Sequence, residues 1–460
     1  MTVIGTALAV ALAASVRAAA GAPADAEARP WTLEALQAAA QAADPRVLSA
    51  AAELARMRAA EAEVRAARLP ALAWTLEATG PVPELTNDPN RLDDVAPGSR
   101  LRTGELGNAG VQTHLGIDAS WPIFTFGKLD AREGAAERGT AASSEAARAV
   151  RARAARDAAE IYWGYQLARR QIAVFDEADR QLAGAHDRVE GLLEQGSRQV
   201  SKQDLAQLEL VRAEMAGRRA EANAARDLAL ESGRMVAGQA PEATFAFAVA
   251  PLEPPALSLA PLSRYVEVSL ARRAEVAAAR ERVRAREAAA LARHRAWYPD
   301  LFAIGFADLN WTGSSTPQTN PFAYDPYNRL WGGVGLALRG AVDFGRSPAA
   351  AQAEAEVEKA RAELELASRG ARLEVARAHT ALRAAVERAA RLREEEAAAR
   401  RWLAQAEVSF DAGVANAQAV LFAALATTRA GVERLAAARD AQLALADLTL
   451  AVGEDPRNVK

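Results

Sequence analysis

Two stretches of the chain carry apolar side chains at alternating spacings of three and four residues. Such spacing keeps them on one stripe of a helix, as in coiled coils, and alanine lets helix backbones approach closely. Each stretch of about 65 residues predicts a helix roughly 100 Å long, which needs neighbours because an isolated rod buries little surface. The stripe in 128–194 comprises Ile161, Tyr165, Ala168, Ile172, Phe175, Leu182 and Val189, and that in 347–410 comprises Val357, Ala360, Leu364, Ala367, Ala371, Val375, Ala378, Leu382, Ala385, Ala389 and Leu392.

Four segments between the helices change to a period of two. In 111–121 every second residue is apolar or small, and Gln112, His114 and Asp118 lie between them. The segments 72–77, 302–306 and 333–339 alternate in the same way. Alternation over about ten residues is typical of a transmembrane β-strand, although half-buried strands of soluble sheets look similar.

Tryptophan is concentrated around these strands. Amphipathic aromatic rings are enriched at the two interfaces of a membrane, where they form girdles around a barrel. The pattern therefore predicts a membrane girdle, formed by Trp74, Trp121, Trp297, Trp311 and Trp331.

The chain contains the same pattern twice, which is the signature of a duplicated structural unit. Leu33–Pro70 aligns with Leu262–Pro299 at an offset of 229, and Phe124–Lys128 (FTFGK) aligns with Val342–Arg346 (VDFGR) at an offset of 218. At that second offset the apolar Ile117 falls over Gly335, so the two copies disagree on which residues face outward unless a β-bulge intervenes.

Each copy reads as helix, strand, loop, strand, very long helix, tight turn and helix. Pro-rich residues 239–261 cannot continue a helix and form a connector between the copies. The shorter helices are predicted at 32–68, 199–236, 262–296 and 415–451. The predicted organisation is a first repeat at 25–238 (β-hairpin 69–127, helical hairpin 128–238) and a second at 262–456 (β-hairpin 297–345, helical hairpin 346–453).

The first residues resemble an export signal. Val3–Val16 is almost purely apolar, and small residues spaced for cleavage follow it. We expect residues 1–24 to be a signal peptide cleaved near residue 20 or 24. The apolar run of about 14 residues is too short to cross a bilayer.

Composition and charge argue against catalysis and nucleic-acid binding. The net charge of −3 gives no electrostatic reason to bind nucleic acid. The absence of cysteine excludes disulfides, thiolate metal sites and a cysteine nucleophile. Of the four histidines, His114 and His294 lack a second ligand at coordinating spacing on the same element. We therefore expect no enzyme, no cofactor and no metal site.

Four strands cannot close a barrel by themselves. An unpaired sheet edge in hydrocarbon leaves backbone groups unsatisfied at several kcal/mol each, and small closed barrels need about eight strands. If these strands lie in a membrane, at least two chains must share one barrel, and the long helices must assemble around the same axis.

In this arrangement the chain resembles the outer-membrane efflux proteins of the TolC type. The resemblance rests on TLEALQAA near Thr32, EAEVRAARLPAL, WPIFTFGK with RGAVDFGR, and the turn regions LLEQGSRQVSKQDLAQLE and SFDAGVANAQAVLFAA. It implies a mainly α fold with a membrane β-barrel: a homotrimer in the outer membrane lipid, in which each chain gives four strands to a 12-stranded barrel and the helices form a coiled-coil tunnel through the periplasm. It also implies docking onto a periplasmic adaptor and an inner-membrane pump, in a tripartite efflux or type I secretion system, with no catalysis.

The resemblance assigns the inner tip of the tunnel to the two tight turns. It places adaptor docking at Gly196, Ser197, Asp204, Gly413 and Val414, and the aperture at Lys202, Ala419 and Phe422. The family's paired acidic residues would align with Ala419 and Phe422, so this chain lacks that acidic ring. Two other classes remain as alternatives, a periplasmic adaptor with one helical hairpin and a soluble coiled-coil scaffold.

Overall fold

The computed structural model describes residues 30–82, 85–86, 100–101, 110–197, 200–314 and 327–459. The predicted signal peptide, residues 1–24, lies outside these residues. The helices are α1 (Leu33–Ala43), α2 (Pro45–Ala66), α3 (Lys128–Glu194), α4 (Lys202–Val236), α5 (Leu262–Arg272), α6 (Ala274–His294), α7 (Arg346–Asp411) and α8 (Ala417–Val452). The strands are β1 (Ala71–Val82), β2 (Leu85–Thr86), β3 (Arg100–Leu101), β4 (Gly110–Phe124), β5 (Asp300–Thr312) and β6 (Arg329–Arg339).

The two very long helices are confirmed. α3 and α7 have the predicted bounds to within one residue at each end. In α3 the heptad positions Ala168, Phe175, Leu182 and Val189 are all buried, as the spacing predicts for a packed stripe. Among the described helices, none combines the length and hydropathy that crossing a bilayer requires.

The predictions of single helices at 32–68 and 262–296 are wrong, because each is broken near its first third. Asp44 leaves the helical conformation at ψ 128° since the ring of Pro45 disfavours a helical residue before it. The Asp44 carboxylate then accepts the Arg46 N–H at 2.7 Å and caps α2. In the second copy Arg273 adopts the same conformation, with ψ 126°, without a proline. The equivalence of the breaks was visible only in three dimensions.

The helices form one layer, but different helices make up its two ends. Near the strands, α3 packs between α2 and α6, and α6 packs on α7. Towards the tight turns, α3 packs on α4 and α8, and α8 packs on α7. Between these two zones the connector joins α1: the Trp31 N–H donates to the Ala246 carbonyl, and the Ala248 N–H donates to the Trp31 carbonyl, both at 2.8 Å.

The four long strands form one antiparallel sheet in the order β1-β4-β5-β6, and β2 pairs with β3 in a separate ribbon. Each repeat contributes one hairpin to the sheet, and β4 of the first repeat pairs with β5 of the second. The register of β4 on β5 shifts between Pro122 and Phe124, so Ile123 is an extra residue. This is the bulge that the mismatched alternation of the two copies required.

Candidate functional site: a two-faced sheet and two helical turns

The four-stranded sheet has one apolar and one polar face. Directly paired residues share a face, so the registers assign every side chain. Large apolar side chains cover one face and are exposed: Leu72, Trp74, Leu76, Val111, Ile117, Trp121, Leu309, Trp311, Leu330, Val334, Leu336 and Leu338. The opposite face carries Glu77, Gln112, His114, Asp118, Asp308, Asn310, Arg329 and Arg339.

The polar face is organised by hydrogen bonds and cation–π contacts. The His114 Nδ1 atom lies 2.9 Å from the Asn310 Oδ1 atom, in a row that Glu77 and Arg329 extend to the sheet edges. The Arg329 guanidinium also lies over the Trp331 ring, 4.6 Å from its centre. Such an arrangement suits water on this side and lipid on the other.

The register separates Trp331 from the other strand tryptophans. Trp331 pairs with Asp308 on the polar face and makes an edge contact with Phe306 at 4.6 Å between ring centres. Trp331 therefore lies on the face opposite to Trp74, Trp121 and Trp311, since a period of two gives opposite faces to residues of opposite parity. Phe302, Ile304 and Phe306 lie on the same polar face as Trp331.

Trp74, Trp121 and Trp311 all lie on the apolar face. Trp121 pairs with Ala303, and Ala303 lies eight residues before Trp311 along β5. This separation is about 27 Å along a strand, or about 21 Å across a membrane at a tilt of about 40°. Trp121 donates its indole N–H to the Arg68 carbonyl at 2.9 Å, at the helix end of the sheet. Trp74 pairs with Ile117, between the two levels, and Trp297 lies in the turn before β5.

Basic residues join the sheet to the helices. Lys128, at the start of α3, is buried and donates to the Tyr298 carbonyl at 2.8 Å, and its ammonium lies 2.7 Å from the Asp300 carboxylate. Arg346, at the equivalent start of α7, donates to the Ala296 carbonyl at 2.7 Å. The aligned FGK and FGR motifs mark both residues in the sequence, but their contacts depend on how the helices meet the sheet.

The two tight turns share one geometry. Gly196 and Gly413 have φ angles of +71° and +76°, which favour glycine. After each, a backbone N–H reaches back five residues: Ser197 donates to the Leu192 carbonyl at 3.0 Å and Val414 to the Ser409 carbonyl at 2.9 Å. Each glycine N–H also donates to the carbonyl three residues back, Gly196 to Leu193 and Gly413 to Phe410, which completes the bond pair of a Schellman helix end.

The side chains at the turns differ in chemistry. The Ser201 hydroxyl accepts the Asp204 N–H, and the Asp204 carboxylate accepts the Ser201 N–H, so the two residues form a capping box at the start of α4. Lys202 is exposed beside it. In the second turn Val414 is 85% exposed and Phe422 is 53% exposed, while Ala419 is half-buried and its N–H donates to the Asn416 side chain.

Behind the turns, the two helical hairpins line a partly open cavity of about 290 Å³. Apolar side chains including Leu208, Leu403 and Phe410 line it, with Arg188 and Glu407 among its polar residues. Arg188 also lies 3.3 Å from Asp411 and links the hairpins. No sequence pattern predicts this cavity, since it depends on how two distant hairpins pack.

One group of potential metal ligands occurs among the described residues, His186, Asp187 and Glu190 on α3. The His186 Nδ1 atom lies 3.5 Å from Asp187 and 3.9 Å from Glu190, and its Nε2 atom lies 3.9 Å from Glu209 of α4. The carboxylates are largely exposed, so the group is a set of surface contacts between α3 and α4.

The fold is similar to several solved outer-membrane channels. The VceC protein of Vibrio cholerae is 20% identical, with a TM-score of 0.71 over 92% of this chain and 96% of that one. The MtrE channel of Neisseria gonorrhoeae, in its open state, is 17% identical, with a TM-score of 0.73 over 93% and 90%. The OprN channel is 18% identical, with a TM-score of 0.72 over 92% and 90%. A comparison with curated protein sequences finds no match.

Long helical hairpins attached to a two-faced antiparallel sheet define the class of outer-membrane channels. The sequence model of the family described as Outer membrane efflux protein matches residues 36–230 and 266–454, and the chain belongs to this family. It is an outer-membrane efflux channel that extends into the periplasm, and it transports without catalysis. Membership implies that it works with a periplasmic adaptor and an inner-membrane pump.

Proposed function

We propose that three copies of this chain form one passive exit duct. Each copy contributes four strands to a shared, closed barrel in the outer membrane, and the helices continue it as a tunnel through the periplasm. The pump and its adaptor supply substrate at the inner tip. The observation that carries the proposal is the sheet, with one apolar face, one polar face and its edges formed by β1 and β6.

The open edges require neighbours. Each unpaired backbone group in hydrocarbon costs several kcal/mol, so the free sides of β1 and β6 must pair with other copies. The helical layer has matching edges: α4 exposes Leu210 and Leu228, and α7 exposes Leu366 and Leu373. Apolar side chains on an outer helix face favour packing against a further helix. One ring of copies covers both kinds of edge.

We place the lipid boundary on the apolar face of the sheet. Trp121 and Trp311 mark its two interfaces, and Trp297 lies on the periplasmic side of the first. Trp74 lies within the apolar band. Trp331 belongs to the water-filled interior with Arg329.

We place adaptor docking at the two tight turns, on Gly196, Ser197, Gly413 and Val414, with Asp204 as the cap that holds the first turn. The exposed Val414 offers an apolar contact that a water-facing turn does not need. Lys202, Ala419 and Phe422 line the aperture in this proposal. Because Ala419 and Phe422 are uncharged, the aperture would close by apolar contact at these positions.

Extraction and mass measurement test the proposal. A duct stays in outer membranes washed with carbonate or urea and, in detergent, has a protein mass about three times the 48.7 kDa chain. Release by the wash supports the alternatives, a periplasmic adaptor or a coiled-coil scaffold. A detergent-free monomer in solution contradicts the shared barrel.

A further inference from the structure

The two hairpins of the sheet correspond residue by residue. The offset of 229 that relates Pro70 to Pro299 carries Trp74 to Ala303. Trp74 pairs with Ile117, and Ala303 pairs with Leu336, so Ile117 and Leu336 are equivalent, at an offset of 219. After the strands the two copies align at an offset of 218, which is one residue less. The difference is the extra residue of the first copy, Ile123 in the β-bulge.

The strand pairing between the two repeats of one chain therefore predicts the strand pairing between neighbouring copies. β4 is the second long strand of the first repeat, and it pairs with β5, the first strand of the second repeat. In a ring of identical copies the next equivalent contact joins β6 to β1 of the neighbouring copy. Within one chain, Ile117 pairs with Ala307. Adding the offset of 219 to Ile117 gives Leu336, and subtracting the offset of 229 from Ala307 gives Ala78.

We propose that β6 pairs antiparallel with β1 of the neighbouring copy in this register: Leu336 opposite Ala78, Ala337 opposite Glu77, and Leu338 opposite Leu76. The inference rests on the proposed shared barrel and adds the alignment of its seam. The partner is a second copy of this chain, and the same contact recurs at every seam.

The faces of the sheet agree with this register, although the offsets were derived without them. Leu338 and Leu76 are both on the apolar face, and Ala337 and Glu77 are both on the polar face. A slip by one residue would set Leu338 opposite Glu77 and turn a whole strand to the wrong side. In the proposed register Arg339 lies diagonal to Glu77, at a Cα separation of about 7–8 Å that long side chains span. Each seam thus gains an ion pair on the water-filled side.

Disulfide cross-linking measures the register, and the natural chain supplies a cysteine-free background. The test variant carries Ala337→Cys and Glu77→Cys in the full-length protein, oxidised in outer membranes. Facing residues of an antiparallel pair have Cα atoms about 4.5–5.5 Å apart, within the range of a disulfide. Within one chain these positions lie on opposite edges of a four-stranded sheet, about 14 Å apart, and cannot be bridged.

Two matched variants shift one partner by four residues on the same face, about 13 Å along the strand. These are Gly333→Cys with Glu77→Cys, and Ala337→Cys with Ala73→Cys. We expect a reducible covalent trimer for the test variant, at least tenfold more abundant than for either control. A trimer linked preferentially in a control overturns the register while the shared barrel stands.

Native mass separates the remaining outcomes. If all three variants keep the mass of a trimer but none is linked, the register is overturned. If the cysteine-free parent itself is a monomer in detergent, the proposed function fails, and the register with it. Linked dimers that increase to trimers with oxidation time support the proposal, because each seam forms independently.

Discussion

The ammonium of Lys128 lies 2.7 Å from the Asp300 carboxylate and joins the first helix after one hairpin to the first strand of the other. Lys128 is buried, whereas Asp300 is half-buried. The contact crosses the repeat boundary where the sheet meets the helical layer. It therefore ties the helical layer of the first repeat to the sheet strand of the second.

Replacing Lys128 should weaken this junction. We expect Lys128→Met to lower the free energy of unfolding by about 1–3 kcal/mol, since it leaves a charged acceptor without its partner. The measurement is the urea midpoint of the refolded protein in detergent. Lys359→Met, on the exposed face of α7, is the control. An equal midpoint for both variants would contradict a structural role for the Lys128–Asp300 pair.

A proline in the middle of α7 should interrupt the tunnel. Val375 is fully buried in α7, in a cluster with Tyr265 and Leu448. Val375→Pro removes a helix hydrogen bond and kinks the helix at a cost of about 3 kcal/mol or more. We expect export to be lost and membrane insertion to be retained, measured by substrate efflux from cells and by fractionation. Val375→Ala keeps the helix and serves as the control; export by the proline variant would argue against a continuous tunnel.

The two faces of the sheet should tolerate charge differently. Ile117 and Asp118 are adjacent and exposed, but Ile117 is on the apolar face and Asp118 on the polar one. An arginine facing lipid near the midplane costs about 2–4 kcal/mol, whereas one facing the lumen costs little. Ile117→Arg should therefore reduce the amount of protein in the outer membrane, and Asp118→Arg should not. If Asp118→Arg reduced the amount in the membrane and Ile117→Arg did not, the polar face would be the one that contacts lipid.

The second tight turn should require glycine. Gly413 has a φ of +76°, so we expect Gly413→Ala to destabilise the turn by about 1–2 kcal/mol. Gly370 lies within α7, and no atom lies within 4 Å of its added Cβ, so Gly370→Ala should stabilise the helix by about 1 kcal/mol. Thermal unfolding followed by circular dichroism compares the two. A Gly413→Ala variant that is as stable as the parent would show that the turn does not need the left-handed geometry.

Acid should weaken the cap of α2. The Arg46 guanidinium beside Asp44 holds the pKa of that carboxyl below its usual value, despite burial. Because the folded pKa is depressed, the stabilisation is complete above the unfolded pKa of about 4 and is lost as pH falls through the folded pKa.

The variant Asp44→Asn tests this pH dependence. It should unfold at a lower temperature than the parent at pH 7, and the difference should shrink steadily below about pH 4. Glu363→Gln, on the exposed face of α7, changes the net charge equally without touching the α1–α2 break. A difference for Asp44→Asn that persists unchanged at pH 2 would contradict the assignment.

The local pattern was enough to predict the two long helices, the tight turns and the four long strands. The spacing in α3 and α7 gave both long helices because a helical stripe of that length has no competing interpretation. The turn glycines Gly196 and Gly413 were found for a similar reason, since a helix reversal needs a left-handed residue. The repeat predicted a bulge, and Ile123 provides it.

The helix breaks show where local pattern fails. Pro45 could have been read as the start of a new helix, but Arg273 has no such mark. Its side chain pairs with Glu275 and Glu374, on two different helices. The pair with Glu374 depends on the packing of α6 against α7, which no local pattern shows.

By itself, the sequence determined the duplicated order of elements, the long helices and the presence of four alternating strands, because periodicity is a property of neighbours along the chain. Only the tertiary structure decided which face of the sheet each strand residue occupies, and it moved Trp331 and Phe306 to the polar side. Within one strand, a period of two shows only that odd-numbered and even-numbered residues face opposite sides of the sheet. The hydrogen-bond register between strands shows which residues of two strands share a side. The same reason explains why Lys128 and Asp300, far apart in the chain, could be joined only by the fold.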